Sequence, residues 1–218
     1  MADPRLDNEA RYDRMAPHYA RLLRVASLGT ISGHYRAVAA ALDVPADGSV
    51  VEIGCGPATV TPHIRAAVGD GVRITGVDLS SQMIALARER AEREGWKNVT
   101  YEQSDVTVWR PQDLVDAVVF SLVLSGLPNP LGCVDRALAW LRPGGQIVVL
   151  DSFLVPGRGF ANWVIRAKAP RLGVVPDDLP LDALLARLEG PQKTDFSAGI
   201  YSVVSGRVVS GRKPGTER

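Results

Sequence analysis

The chain has 218 residues, a formal net charge of +1 at pH 7 and a hydrophobic fraction of 46%. This length is sufficient to bury a full core in one α/β domain with small additions. The near-neutral charge argues against a nucleic-acid partner, since phosphate binding needs concentrated positive charge. Two cysteines provide no disulfide framework, which favours a reduced, cytoplasmic setting.

Targeting and membrane signals are weak. Acidic residues at Asp3, Asp7, Glu9 and Asp13 exclude the apolar region of a signal peptide near the start of the chain. The longest apolar run, 117–124, is far shorter than the ~20 residues that a bilayer span requires. We therefore expect a soluble, cytoplasmic protein, with peripheral contact to a membrane surface left open.

The N-terminal region is expected to be helical. Residues 1–10 are polar and are expected to fray. From 12 to 28, apolar residues recur at helical spacing with basic residues off the stripe, which predicts a basic amphipathic helix that Pro17 divides into two pieces. Gly33 interrupts the pattern, and the apolar residues of 35–42 then predict a helix packed beside a sheet.

A glycine-rich loop follows the first predicted strand. That strand ends near Glu52, and glycines stand at positions 54 and 56. Without a Cβ, the backbone at these positions can turn sharply and approach a ligand closely, as in nucleoside-binding loops. The dinucleotide fingerprint G-x-G-x-x-G would need glycine where this sequence has Thr59, so a nicotinamide-dependent hydride transfer fits only a broken motif.

The second strand, 73–78, ends in a carboxylate. At the tip of a strand, Asp78 can accept hydrogen bonds from a ribose diol. Ser80 is placed to cap the following helix, expected over 81–94. Met83 can turn its soft, apolar side chain toward an adenine ring.

Strands and helices alternate through the rest of the core. A third strand at 98–103 precedes Ser104-Asp105-Val106, and 115–124 has the continuous apolar pattern of a buried central strand. Residues 141–150 contain a turn and a fifth strand. Such alternation predicts parallel βαβ units in a doubly wound sheet, with helices near 58–68, 81–94 and 130–141.

The loop and the landmarks after it resemble a known family. Glu52, Gly54 and Gly56, with Ala58 in place of a third glycine, are similar to motif I of the class I S-adenosylmethionine-dependent methyltransferases. The resemblance spans about 48–151. It implies a Rossmann-like, doubly wound, mostly parallel seven-stranded sheet with a C-terminal antiparallel hairpin, and S-adenosylmethionine as the cofactor. A sulfonium cation also suits Glu52 better than a pyrophosphate would.

The resemblance assigns a set of cofactor-binding residues. In the family, an aspartate at the position of Asp105 accepts a hydrogen bond from the adenine amino group, and the end of the fourth strand meets the methyl donor. The matching positions are Glu52, Gly54, Cys55, Gly56, Asp78, Leu79, Met83, Ser104, Asp105, Val106, Phe120 and Ser121.

Candidate catalytic residues lie in the N-terminal region. Methyl transfer is an in-line displacement that depends on alignment and exclusion of water, with a base only where the nucleophile arrives protonated. Tyr12, Ala16 and Tyr19 resemble the Tyr-x-x-x-Ala-x-x-Tyr pattern of quinone and phospholipid methyltransferases, although Ala20 stands where those families commonly place Asp. His18 is either a base or a surface histidine, while Tyr12 and Tyr19 are either walls near the methyl group or lid packing. No metal-ligand spacing occurs, so no metal is predicted.

The region after the fifth strand is irregular and rich in proline and glycine. Short helices are expected at 160–169 and 180–188, and a hairpin from strands near 193–197 and 201–209. The side chains that mix aromatic and cationic character are Arg158, Phe160, Trp163, Arg166, Lys168 and Arg171. They are either a surface for anionic lipid or a solvated face with buried aromatics.

Four regions are therefore expected in one domain. They are a helical lid at 1–46, a cofactor-binding core at 47–152, a substrate cap at 153–192, and a terminal hairpin and tail at 193–218.

The favoured function is methyl transfer to a small amphiphilic molecule, with a phospholipid amine headgroup preferred and carbon methylation of a quinone next. The alternatives are a soluble natural-product O- or N-methyltransferase and, from another class, a cofactor-binding protein without catalysis. The oligomeric state is left open.

Overall fold

A computed structural model of the chain describes residues 7–19, 21 and 29–208. A single sheet contains seven strands in the order β3-β2-β1-β4-β5-β7-β6. The strands are β1 (Ser49–Ile53), β2 (Arg73–Asp78), β3 (Val99–Gln103), β4 (Val115–Ser121), β5 (Leu141–Asp151), β6 (Leu188–Phe196) and β7 (Tyr201–Val208).

Strands β1 to β5 pair in parallel, and β7 runs antiparallel between β5 and β6. The expectation of a Rossmann-like sheet with a C-terminal antiparallel hairpin is therefore confirmed. The chain order of the strands reverses between β1 and β4. In open α/β sheets of this kind, ligands bind outside the carboxyl ends of the strands at such a switch point.

Helices cover both faces of the sheet. They are α1 (Asn8–Met15), α2 (Ile31–Ala40), α3 (Thr61–Val68), α4 (Ser81–Arg93), α5 (Pro130–Ala139), α6 (Gly159–Leu172) and α7 (Leu181–Leu185). Apolar residues of α2, α3 and α4 form one core cluster, and those of α5 and α7 form another. The central strands supply both clusters by alternation: Val118 and Phe120 face one, Ala117 and Val119 the other.

Local capping explains where two of these helices begin. The Ser80 hydroxyl accepts a hydrogen bond from the Met83 amide at 3.1 Å, as the sequence predicts for the start of α4. The Asn129 side chain accepts one from the Gly132 amide at 3.1 Å, with Pro130 in the first turn of α5.

The N-terminal helices differ from the sequence-based expectation. Residues 8–10 belong to α1 rather than to a frayed end, because the Asn8 side chain is hydrogen-bonded to two distant carbonyl groups. The break expected at Pro17 occurs: α1 ends at Met15 and a 3-10 turn, Ala16–His18, follows. The second helical piece, predicted up to residue 28, lies mostly outside the described residues. Gly33 lies inside α2, where its missing Cβ would meet open space.

The C-terminal elements also have different bounds. The helix predicted at 180–188 is only the short α7, and the buried side chain of Leu188 begins β6 instead. As a result, the hairpin strand is longer than the predicted 193–197 segment. Helix α6 extends past the predicted 160–169 and ends at Leu172, and the next residue, Gly173, adopts φ +64°.

Within the part of the chain that the structure describes, no helix combines the length and apolar character needed to cross a bilayer.

Candidate functional site

A cavity of about 280 Å³ lies at the switch point of the sheet. Its walls come from the carboxyl ends of β1 and β2, the loops that follow β3 and β4, and α1 with the turn after it. The fold therefore brings together segments that are far apart in the chain. Because one side is formed by the sheet edge and another by α1, a ligand here would be covered on two sides.

Glycines 54 and 56 have distinct roles in shaping this cavity. At Gly54, with φ +67°, a Cβ would lie 2.5 Å from the side chain of Val123, so only glycine allows the loops after β1 and β4 to pack this closely. At Gly56, with φ +51°, a Cβ would face the Tyr19 ring at 3.7 Å and narrow the cavity. Ala58 is also left-handed, with φ +58°, and is fully buried.

The carboxylate of Asp78 is fixed by backbone donors. The amide of Gly56 donates to Oδ2 at 2.9 Å and the amide of Ser80 donates to Oδ1 at 3.0 Å. Burial raises the pKa of Asp78, these backbone hydrogen bonds lower it, and the nearby charge of Asp13 raises it further. Each oxygen keeps a lone pair for a further donor, so the group can bind a diol.

The other end of the cavity is largely apolar. Leu79 is 41% exposed, whereas Met83 is buried, and both line the cavity together with Val106. Asp105 lies beside them, and its Oδ1 accepts a hydrogen bond from the Thr107 amide at 2.7 Å. The arrangement offers apolar side chains with one carboxylate among them, which suits an adenine ring and its amino group.

The loop after β3, which carries Asp105 and Val106, is hydrogen-bonded to the end of β2. The amide of Ser104, which also lines the cavity, donates to the carbonyl of Asp78 at 3.0 Å. This hydrogen bond fixes the loop after β3 relative to the loop after β2.

Tyr12 and Tyr19 line the cavity from the N-terminal side. Their rings meet edge to face with centroids 6.1 Å apart, and the Tyr12 hydroxyl donates to the Leu172 carbonyl at 3.1 Å. Burial raises the pKa of Tyr12 to about 12, and the charges of Asp78 and Asp151 add to the shift. Burial also raises the pKa of Tyr19 well above its usual value. Both hydroxyls therefore keep their protons at physiological pH, and both side chains lie in the cavity wall.

Glu52 lies beneath the glycine loop instead of in the cavity wall. It is fully buried, and its Oε2 accepts a hydrogen bond from the Thr61 hydroxyl at 2.8 Å. Its Oε1 has no hydrogen-bond partner in the described part of the chain. Burial raises the pKa of Glu52 to about 8, despite the opposing hydrogen bond from Thr61.

Four further residues selected from the sequence also do not line the cavity. Phe120 is fully buried in the core, and Ser121 and Cys55 are buried beside it or beneath the loop. Burial raises the pKa of the Cys55 thiol well above its usual value, which makes a thiolate nucleophile unfavourable. His18 is exposed on the turn after α1.

The structure adds wall residues beyond the set of cofactor-binding positions assigned by the resemblance. They come from the start of α1 and from the loop after β4: Asn8, Glu9, Leu122, Val123, Gly126, Leu127 and Pro128. Leu122 has the unusual φ of +57°, and its amide donates to the Leu150 carbonyl at 2.7 Å. Leu122 belongs to the segment at the end of the fourth strand that the resemblance places near the methyl donor, whereas no local signal identifies the other residues, because their positions depend on distant partners.

Polar contacts hold α1 across the cavity. The Asn8 amide group donates to the carbonyls of Gly126 at 3.2 Å and Gly173 at 3.0 Å. At the other end of α1, Asp13 accepts hydrogen bonds from the Ser80 hydroxyl and from the Gln82 amide. Helix α1 is therefore attached to both sides of the cavity opening.

The substitution Asn8→Ala tests this attachment. It removes two hydrogen bonds to backbone carbonyls, and we expect the affinity for S-adenosylhomocysteine to fall by about 3- to 10-fold, or about 1 kcal/mol. Calorimetric titration of the full chain measures the change. The matched control is Asn162→Ala, because the Asn162 side chain also bonds to the backbone but lies within the loop and helix at 155–162. Equal losses in both variants would contradict a role for α1.

Asp151 is a further residue that no sequence pattern identifies. It is buried at the end of β5 and accepts hydrogen bonds from the Ser125 amide at 3.0 Å, the Ser125 hydroxyl at 2.8 Å and the Ser152 amide at 2.7 Å. Burial raises its pKa, and these donors oppose that effect. The carboxylate thus fixes the loop after β4, which forms part of the cavity wall.

Comparisons with known proteins give a consistent result. Residues 50–145 match the family model of a methyltransferase domain. A demethylmenaquinone methyltransferase of Tropheryma whipplei is 29% identical over 166 residues, which cover 74% of this chain and 66% of that protein. A trans-aconitate 2-methyltransferase of an Azoarcus species is 32% identical over 108 residues, covering 49% of this chain and 40% of that protein.

A solved structure shares the fold. The geranyl diphosphate C-methyltransferase of Streptomyces coelicolor, determined with S-adenosyl-L-homocysteine, superposes with a TM-score of 0.66 at 18% identity, over 82% of this chain and 80% of that one. Sheet order, loop motif and matched domain agree: residues 50–145 form a methyltransferase domain of the class I type, which uses S-adenosylmethionine as its cofactor.

Proposed function

We propose that the chain transfers a methyl group to a small-molecule acceptor in the cavity at the switch point. When bound, S-adenosylmethionine supplies an electrophilic methyl group on a sulfonium. The observation that carries the proposal is the convergence of the glycine loop and the Asp78 carboxylate beneath the Tyr12–Tyr19 pair. This convergence provides a nucleoside site that opens on an aromatic wall.

The residues of the cavity fit this cofactor. Asp78 is held by two backbone donors with acceptor capacity left for the ribose hydroxyls. Gly56 leaves open the space that a Cβ would fill. Met83 and Val106 would pack against adenine, with Asp105 accepting from its amino group.

The chain contributes enclosure and alignment. Helix α1 and the two tyrosines cover the cavity, and exclusion of water strengthens the electrostatic interactions inside it. Among the described residues that line it there is no histidine, lysine or cysteine, and the ring of His18 is exposed. We infer that the nucleophilic atom of the acceptor arrives already deprotonated or with a free lone pair, or passes its proton to a lining carboxylate such as Glu9.

An unsaturated small molecule is the proposed acceptor class. Two relatives are named for demethylmenaquinone and trans-aconitate, both unsaturated compounds. We place a quinone-type ring or an unsaturated acid ahead of the phospholipid amine that the sequence favours. Arg158 and Arg166 each pair with an aspartate at 2.6 Å, so these two cations are partly neutralised and offer less charge to an anionic bilayer.

Transfer of labelled methyl groups tests the proposal. The full chain is incubated with methyl-labelled S-adenosylmethionine and, in separate reactions, quinone precursors, unsaturated acids, amine-containing natural products and phosphatidylethanolamine vesicles. We expect label in one of the first two sets, and none with Asp78→Ala at low cofactor concentration. Label only in lipid would replace the acceptor class proposed here. A protein that binds S-adenosylhomocysteine by calorimetry but labels no set would be a binding protein without catalysis.

A further inference from the structure

Lys168 lies on a helix that contacts the wall of the proposed site through Leu172, and its ammonium group has no hydrogen-bond partner in the part of the chain that the structure describes. Lys168, on α6, is half-buried, and its Nζ lies 4.0 Å from the centroid of the Tyr201 ring. Tyr201 begins β7, and the adjacent Ser202 is paired with Asp151 at the end of β5. The ammonium group is therefore at the same edge of the sheet as the cavity.

The ammonium group has no acceptor for its hydrogen bonds among the residues that the structure describes. Other cations of the same region differ, since Arg158 and Arg166 bind Asp195 and Asp177. The attraction between the ammonium and the face of the Tyr201 ring offsets only part of the cost of removing the ammonium from water. Lys168 thus retains three N–H donors at a partly desolvated position, where an anion would restore the lost hydration.

The nearby carboxylate of Asp151 is not the anion that accepts hydrogen bonds from Lys168. Burial raises the pKa of Asp151, and the positive charge of Lys168 is among the effects that lower it, so the two groups are in electrostatic range. However, the Asp151 oxygens are engaged by the amide and hydroxyl of Ser125 and the amide of Ser152. No ion pair between Lys168 and Asp151 forms within 4.0 Å.

Several contacts connect Lys168 to the cavity wall. Tyr12 donates its hydroxyl to the Leu172 carbonyl, near the end of the helix that carries Lys168. The loop that Asp151 holds through Ser125 continues into Gly126, which lines the cavity. The segments that carry Lys168 and Tyr201 therefore adjoin those that shape the cavity, and Tyr201 is within electrostatic range of Tyr19 in the cavity wall.

We infer that Lys168 binds a carboxylate of the acceptor, so that the substrate is a small unsaturated or aromatic acid. This inference rests on the proposed methyl transfer, because it assigns the substrate class of the same site. One compact ammonium matches a singly charged carboxylate, and the faces of the neighbouring tyrosines suit an unsaturated skeleton. The negative group would lie over Lys168 while the rest of the molecule extends toward the Tyr12–Tyr19 pair.

Matched pairs of acids and neutral analogues test the assignment. Cinnamate with cinnamamide, 4-hydroxybenzoate with 4-hydroxybenzamide, and trans-aconitate with its trimethyl ester are titrated calorimetrically into the full chain saturated with S-adenosylhomocysteine. In the wild type, we expect at least one acid to bind about tenfold more tightly than its neutral partner. Lys168→Met, which keeps the length of the side chain, should abolish this preference, and Lys168→Arg should retain it.

The control is Arg166→Met on the same helix, whose guanidinium is already paired with Asp177. It should keep the preference for acids, and all variants should bind S-adenosylhomocysteine with the wild-type affinity. The inference is overturned if no acid is preferred, or if Lys168→Met keeps the preference.

Labelled-methyl transfer to the same compounds separates the two proposals. Acids that bind through Lys168 but receive no label would count against methyl transfer to them and leave the anion site standing. Methylation of neutral acceptors with unchanged kinetics in Lys168→Met would support methyl transfer and remove the carboxylate from the substrate class.

Discussion

Replacing Glu52 with glutamine is expected to raise the free energy of unfolding of the cofactor-free protein by roughly 3 kcal/mol at pH 7. The cause is burial: the folded protein raises the pKa of Glu52 from 4.5 to about 8, because the carboxylate is fully buried with a hydrogen bond to only one oxygen. Glutamine has a similar shape to the protonated acid and carries no charge at any pH.

The sign of the pH dependence follows from the raised pKa. In the unfolded chain the group ionises above 4.5, whereas in the folded protein it keeps its proton until about pH 8. The stability that the protonated group contributes is therefore complete below 4.5 and is lost progressively as the pH rises to about 8. The stabilisation by Glu52→Gln should be absent in acid and should grow over this interval.

Urea unfolding at several pH values between 4 and 9, followed by circular dichroism, measures this difference. Glu94→Gln is the matched control, because Glu94 is exposed at the end of α4 and should change stability by less than about 0.5 kcal/mol. A constant difference between Glu52→Gln and the wild type across this range would show that Glu52 is ionised in the folded protein.

The substitution Asp78→Ala is expected to weaken binding of S-adenosylhomocysteine by about 10- to 100-fold, or about 1 to 3 kcal/mol. It would remove the proposed acceptor for the ribose hydroxyls and the carboxylate that fixes the amides of Gly56 and Ser80. Losing the acceptor and loosening the amides should both weaken binding, because these amides belong to the glycine loop and to the start of α4, which line the cavity.

The pH dependence of binding adds a second readout. Burial raises the pKa of Asp78, so protonation should weaken binding in the wild type as the pH falls, and this dependence should disappear in Asp78→Ala. Calorimetric titration at several pH values measures both quantities. Asp177→Ala, which removes an exposed carboxylate paired with Arg166, should leave affinity unchanged. If Asp78→Ala bound with wild-type affinity, Asp78 would not belong to the cofactor site.

Much of the cofactor side of the site could be predicted because its geometry is local. The positive φ angles of Gly54 and Gly56 and the cap formed by Ser80 are preferences of single residues and of neighbours in sequence. Asp78 follows directly from its place at the end of a strand. The motif does not predict that the Glu52 side chain is buried beneath the glycine loop and away from the cavity. The direction of a side chain in that strand depends on which face of the sheet the neighbouring helices cover.

By itself, the sequence determined the alternation of strands and helices, the nucleoside-binding loop and the preference for S-adenosylmethionine over a dinucleotide, since these follow from periodicity and short motifs. Only the tertiary structure decided what surrounds the acceptor. The contacts from Asn8 to Gly126 and Gly173 span 118 and 165 positions, and Lys168 meets Tyr201 from a different element. Contacts between residues so far apart in the chain depend on strand order and helix packing, which cannot be predicted from a local sequence pattern.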